Sequence, residues 1–243
     1  MPTLEELKTH ALRLMKEAGF AISEDIGIEV DQKLPFMGYT SEKNGKRVIV
    51  VSKWANSSGM LMGLLIHEMS HIYRIESGHP SHNDALQNKA VDMVVGHRKL
   101  LSYQQEILFN SINSIMDLYA DDIFFTVMKG KTTTVADFFL SWIHRPVGTS
   151  NTKKQWTNAG YMVSAAFADA NLERHNVPDT DGKIKKGIQE FLSESSPEIA
   201  AKYPYFKNVM THLPEKITEK EFGKLLVDYL HNFLSLTNPR TVA

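Results

Sequence analysis

Residues 64–71 read LLIHEMSH, a stretch apolar enough for a protein core that nevertheless carries two histidines and a glutamate within five positions. Burying such a cluster is costly unless its members are paired or bound to a metal ion. The stretch therefore either holds a metal or is a core segment whose imidazoles are satisfied by hydrogen bonds. Met60, Leu61, Leu64, Leu65 and Ile66 before His67, with Ile72 and Tyr73 after His71, are apolar nearly all round, the pattern of a buried helix. That helix is expected to start at a Ser57 or Ser58 N-cap and to run to Ser77, where Gly78 stops it. On a helix, His67 and His71 project from one face, one turn apart. Two imidazoles so placed can reach one ion at about 2.0–2.1 Å. Glu68, beside the first of them, is set to touch a water at the ion. This is H-E-x-x-H, in which the histidines bind zinc and the glutamate is the general base.

Working outward, the chain opens with an amphipathic helical pattern over Thr3–Ala18, closed by Gly19. Ile26–Asp31 (IGIEVD) alternates like a strand, and Phe36–Thr40, SEKNGK and Arg47–Ser52 (RVIVVS) read as a hairpin turned by Asn44-Gly45. The RVIVVS strand is expected to be the edge along which an extended peptide could add itself. Beyond His79 strand signals nearly vanish. Helical patterns cover about Asn83–Leu100, Tyr103–Met128, Val135–Ile143, Lys154–His175, Ile184–Ser193 and Thr218–Leu236. Breaks are expected at GKTTT, HRPVGTSNT, NVPDTDG and SSPEIAAKYPYF. The fold class is thus α+β, mostly α. A small antiparallel-sheet lobe with the H-E-x-x-H helix is expected over residues 1–80, and a helical lobe over 81–243.

Two histidines leave a tetrahedral ion short of one protein ligand beside its water. His79 lies between Gly78 and Pro80, outside any helix. The better candidates lie in NSINSIMDLYADDIFF, residues 110–125, where Asn110, Asn113, Asp117 and Asp121 draw a polar stripe across an apolar helical pattern. Asp117 can bind the metal, and Asp121, one turn on, can accept a hydrogen bond from a ligand imidazole and fix its tautomer. Either aspartate can be the third ligand on spacing alone. Asp122 points about 100° away.

Composition narrows the alternatives. Among 243 residues, Lys and Arg number 27 and Asp and Glu 28, so no basic excess points to nucleic acid or an acidic membrane surface. KNGKR and KGKTTT read as solvated turns. With no cysteine, disulfides, thiolate zinc sites and cysteine nucleophiles are excluded, and a metal must be held by His, Asp or Glu. The amphipathic start has no basic region followed by an apolar run, and no apolar stretch approaches the roughly 20 residues of a membrane span. A cytoplasmic location follows as the expectation, with a peptide or protein as partner. The sequence does not indicate an oligomeric state.

With HEMSH at 67–71 and DLYAD at 117–121, the chain resembles the gluzincin zinc metallopeptidases over about Ile49–Phe125. Their H-E-x-x-H is completed by E-x-x-x-D on a later helix, written E-x-x-A-D in the HtpX-type and prenyl-protein endopeptidases. The soluble minigluzincins are the closer architectural analogue. The resemblance implies a zinc peptidase with His67, His71 and Asp117 as ligands, Asp121 behind them and Glu68 as general base. Aspartate stands where those families have glutamate, so the two helices must approach more closely. The metzincin pattern is excluded, because Arg74 and Ser77 occupy its Gly and third His positions. An oxyanion donor is sought among Tyr119, His144, Arg145, Tyr161 and His175. Two alternatives stand beside the peptidase. One is a catalytically silent zincin-fold binding or regulatory protein, against which the intact Glu68 argues. The other is a di-iron helical protein built on Glu68-x-x-His71 and Glu76-x-x-His79.

Overall fold

The uninterrupted run Val48–Val51 decides the sheet. A strand with one solvated face alternates, whereas one covered on both faces is apolar throughout. In the computed structural model, which describes residues 2–129, 135–148 and 150–237, all four of these side chains are buried. They belong to β3 (Lys46–Ser52), the middle strand of three. β1 (Ile26–Asp31) pairs with it in parallel, Ile26 opposite Arg47 and Asp31 opposite Ser52. β2 (Gly38–Lys43) pairs with it antiparallel across the Asn44-Gly45 turn. Both turn residues have positive φ, as a two-residue primed turn requires. Two expectations are corrected here. The sheet is mixed rather than antiparallel, because the hairpin returns its second strand between β1 and β2. RVIVVS is therefore not an edge, and the edge of the hairpin is β2.

The chain divides into two units, Met1–His82 with Tyr119–Lys131, and Asn83–Leu118 with Thr132–Ala243. In the first, α1 (Leu4–Glu17) begins in a capping box in which Thr3 and Glu6 satisfy each other's backbone N–H. It buries Ala11 and Met15 against α3 (Leu61–Glu76), in a core with Ile26, Ile49, Val51, Leu65, Ile66, Met69, Ile72 and Ile123. Each such Leu, Ile or Met side chain contributes roughly 1.5–3 kcal/mol on burial. Neither Ser57 nor Ser58 caps α3. The Ser52 hydroxyl instead accepts from the Ala55 N–H and starts a short α2 (Lys53–Ser57), and α3 begins after Met60.

The end of α3 matters for the site. Gly78, at φ +66°, closes a Schellman turn: its N–H reaches the Ile75 carbonyl and the His79 N–H reaches that of Arg74. The chain is thereby turned back, and a 3₁₀ turn over Pro80–His82 follows.

The second unit is helical. α4 (Asp84–Val95) packs on α10 (Glu219–Thr237), and α7 (Thr152–Arg174) on α9 (Pro197–Thr211); α6 (Val135–Leu140) and α8 (Lys183–Glu194) pair. α5 (Ser102–Val127) is one unbroken helix whose residues from Tyr119 onward belong to the first unit. The expected break at SSPEIAAKYPYF is a helix. Ser196 caps it, Pro197 occupies its first turn where no N–H is needed, and Ile199, Tyr203, Phe206 and Met210 form a buried stripe that outweighs the bond lost at Pro204. The GKTTT break lies outside the described residues, as does Thr149 of HRPVGTSNT.

β2 lies against α3 with its Gly38 and Thr40 side turned to the helix, as period-two alternation requires. A Cβ at Gly38 would stand 2.8 Å from the Val50 carbonyl oxygen and 3.2 Å from Leu64 Cδ2. Gly38→Ala should therefore cost about 1–3 kcal/mol by overpacking. Gly59→Ala, at a position with open space around it, should stay within about 0.5 kcal/mol, both variants being measured by urea titration.

Candidate metal centre

His67 and His71 stand one turn apart on the same face of α3, with Glu68 between them in the chain. Helix α5 supplies the rest of the cluster. The His67 Nδ1 lies 2.9 Å from Asp121 Oδ1, and a carboxylate can only accept, so Nδ1 carries the proton and Nε2 the lone pair. That Nε2 faces the Nε2 of His71 at 3.1 Å. Asp117, one turn before Asp121 on the same unbroken helix, completes the group: ligand atoms of His67, His71 and Asp117 lie within 4.8 Å of one another.

The donor set suits zinc. Two imidazoles on one tetrahedral ion at about 2.0–2.1 Å have nitrogens roughly 3.3 Å apart, and the observed pair differs from that by an adjustment of side-chain torsion. Two imidazole nitrogens and a carboxylate oxygen leave one tetrahedral position for water. Among the described residues this is the one such cluster of three.

Helix α3 is clamped to α5 beside this cluster by Arg74. Its buried guanidinium donates from Nε and Nη2 to the Tyr119 carbonyl at 3.0 and 2.8 Å. The clamp fixes the segment of α5 just after Asp117, where the shorter aspartate needs close approach. Glu68 is 5% exposed, and the Thr40 hydroxyl of β2 donates to its Oε2 at 2.9 Å. Among the described residues Oε1 makes no hydrogen bond, so one oxygen of the carboxylate is oriented and the other is available to a proton.

Behind His71, the 3₁₀ turn brings His82 to 2.7 Å, Nε2 against Nδ1. Burial above all, then His71, His79, Arg74 and His67 as charged neighbours, pushes the His82 pKa from its ordinary 6.5 down to about 2, so it is neutral at physiological pH. Nothing in the linear sequence singles out Thr40, Arg74 or His82. A histidine four residues after a helix stop was visible, but nothing in a linear string shows that the Gly78 turn folds it back onto α3. Thr40 carries no chemical signal beyond its place in an alternating strand.

Tyr119 is fully buried, its ring 4.6 Å from that of His79. His144 stacks on Tyr161 at 4.4 Å within the second unit, and burial lowers the His144 pKa. Arg145 approaches Glu190 there, and His175 is the C-cap of α7. Glu76 is the last residue of α3 and accepts from the Ser23 N–H, while His79 lies beyond the Gly78 turn. Glu76 and His79 thus share no helix face.

Among the described residues no helix is long and apolar enough to cross a membrane. No curated protein and no solved structure matches the chain. One family profile does, over residues 10–235, which takes in both units and every residue of the centre. The chain accordingly belongs to that family, described as a family of unknown function (DUF5781).

Proposed function

We propose that the protein is a zinc-dependent metallopeptidase of gluzincin type, with His67, His71 and Asp117 as ligands and Glu68 as general base. The observation that carries this reading is the convergence of two Nε2 atoms from one helix face and a carboxylate from a second helix, with Glu68 beside them. A zinc ion held there would supply Lewis acidity, lowering the pKa of its bound water to about 7 and polarising a carbonyl. Glu68 takes a proton from the attacking water at Oε1 and returns it to the leaving nitrogen, its other oxygen held by Thr40. Asp121 keeps the His67 proton on Nδ1 through both steps. β2, the edge strand against α3, offers backbone groups to an extended peptide, which suits a peptide better than a compact small molecule.

The test is elemental analysis of protein purified without added metal, followed by a quenched-fluorescence peptide library. One zinc per chain is expected, with hydrolysis abolished by a chelator and restored by Zn²⁺. Absence of zinc binding at micromolar free Zn²⁺ would overturn the reading.

A further inference from the structure

The segment after α3 carries a chain of hydrogen bonds that ends on a metal ligand, and its direction can be read from the Ser81 main-chain N–H, which can only donate. That N–H donates to His79 Nδ1 at 3.3 Å, so His79 Nδ1 bears a lone pair. The 2.7 Å contact between the same nitrogen and Ser81 Oγ is then the hydroxyl donating to it. A serine hydroxyl has one proton, so Oγ must accept in its other contact, from His82 Nδ1 at 2.8 Å. With its proton on Nδ1, His82 presents a lone pair at Nε2, 2.7 Å from His71 Nδ1, and accepts from it. The His71 proton is thereby held on Nδ1, and its lone pair is on Nε2, the atom that faces His67.

We infer that His82 is the positioning residue of His71: through the relay His71–His82–Ser81–His79 it fixes the tautomer and ring orientation in which His71 offers Nε2 to a metal ion. The inference rests on the zinc reading of the same centre and extends it to residues outside H-E-x-x-H. The two ligands are supported differently. His67 leans on the carboxylate of Asp121, His71 on the imidazole of His82. The support of His71 comes from its own chain segment, eleven residues on, and depends on the Gly78 turn.

Two measurements test it. In the zinc-loaded protein, long-range ¹H–¹⁵N imidazole spectra at pH 7.5 should show His71 and His82 as Nδ1–H tautomers and His79 as Nε2–H. Finding His71 protonated on Nε2 overturns the inference, whatever the variants do. Zinc affinity by chelator competition should fall about 10–100-fold in His82→Leu, the range for removing a group behind a ligand. It should stay within about threefold in His82→Gln, whose Oε1 can accept from His71 Nδ1. Equal loss in both variants, or loss in neither, overturns the positioning role. Zinc held tightly by His82→Leu but lost by His71→Ala overturns that role alone. A chain that takes up no zinc at all overturns the inference and the peptidase reading together.

Discussion

Glu68→Gln should keep one zinc per chain and an unchanged melting temperature while peptide hydrolysis falls by about 10²–10⁴-fold, the contribution of a positioned general base. The physical grounds are specific. Gln is nearly isosteric, its Oε1 can still accept from the Thr40 hydroxyl, and it is no metal ligand in this arrangement, so packing and the centre are preserved. What it lacks is an oxygen able to take a proton at neutral pH. Hydrolysis retained in this variant, with zinc content confirmed, would remove Glu68 from the reaction. Loss of zinc together with activity would show instead that Glu68 holds the ion. Thr40→Val provides the companion measurement. It leaves the base in place but frees its carboxylate to rotate, so a partial loss in kcat with little change in KM is expected, smaller than that of Glu68→Gln.

The helices and the mixed α+β character were legible because their signals are local. Apolar periodicity, the Gly78 stop and the Asn44-Gly45 turn each act over a few residues, and the structure keeps all three. The strand order was not, since it depends on which partner lies on each side. Yet Val48–Val51 carried the clue, because four consecutive apolar residues in a strand need cover on both faces. The Pro-bearing stretch at 197–211 misled for a related reason. Proline's local cost is visible in the sequence, whereas the burial of Tyr203, Phe206 and Met210 that offsets it is a property of the packed helices.

Within the centre, the spacing of His67 and His71 and the four-residue step from Asp117 to Asp121 were legible because a helix converts spacing directly into direction. The bond from His67 to Asp121 is the arrangement that the step from Asp117 to Asp121 suggests. Groups held by tertiary contact were not legible. Arg74 looked like an ordinary basic residue in the last turn of a helix, and only packing shows it reaching the Tyr119 carbonyl from a buried position. His82 likewise acquires its partner only through the turn that precedes it.

The pair Asp117→Ala and Asp121→Ala should separate a ligand from its support. Zinc at a hundredfold excess over its Kd stabilises a protein by about 2.7 kcal/mol. For a chain of this size, each kcal/mol shifts the melting temperature by about 2–4 °C, so saturating Zn²⁺ should raise it by about 5–11 °C. In Asp117→Ala that rise should vanish at the same free zinc, because two imidazoles are left without their anionic partner. In Asp121→Ala it should shrink but return at higher zinc, since the affinity falls only about 10–100-fold when a ligand loses its second hydrogen-bond partner. The geometry dictates this order. Asp121 Oδ1 is engaged by His67 Nδ1, on the side of the ring away from the atom that faces His71, so Asp121 acts through His67. Asp117 offers a carboxylate oxygen within 4.8 Å of a ring nitrogen of each histidine. The reverse outcome, zinc lost from Asp121→Ala and kept by Asp117→Ala, would mean that His67 turns its other nitrogen to the ion, and the centre would have to be rebuilt around Nδ1.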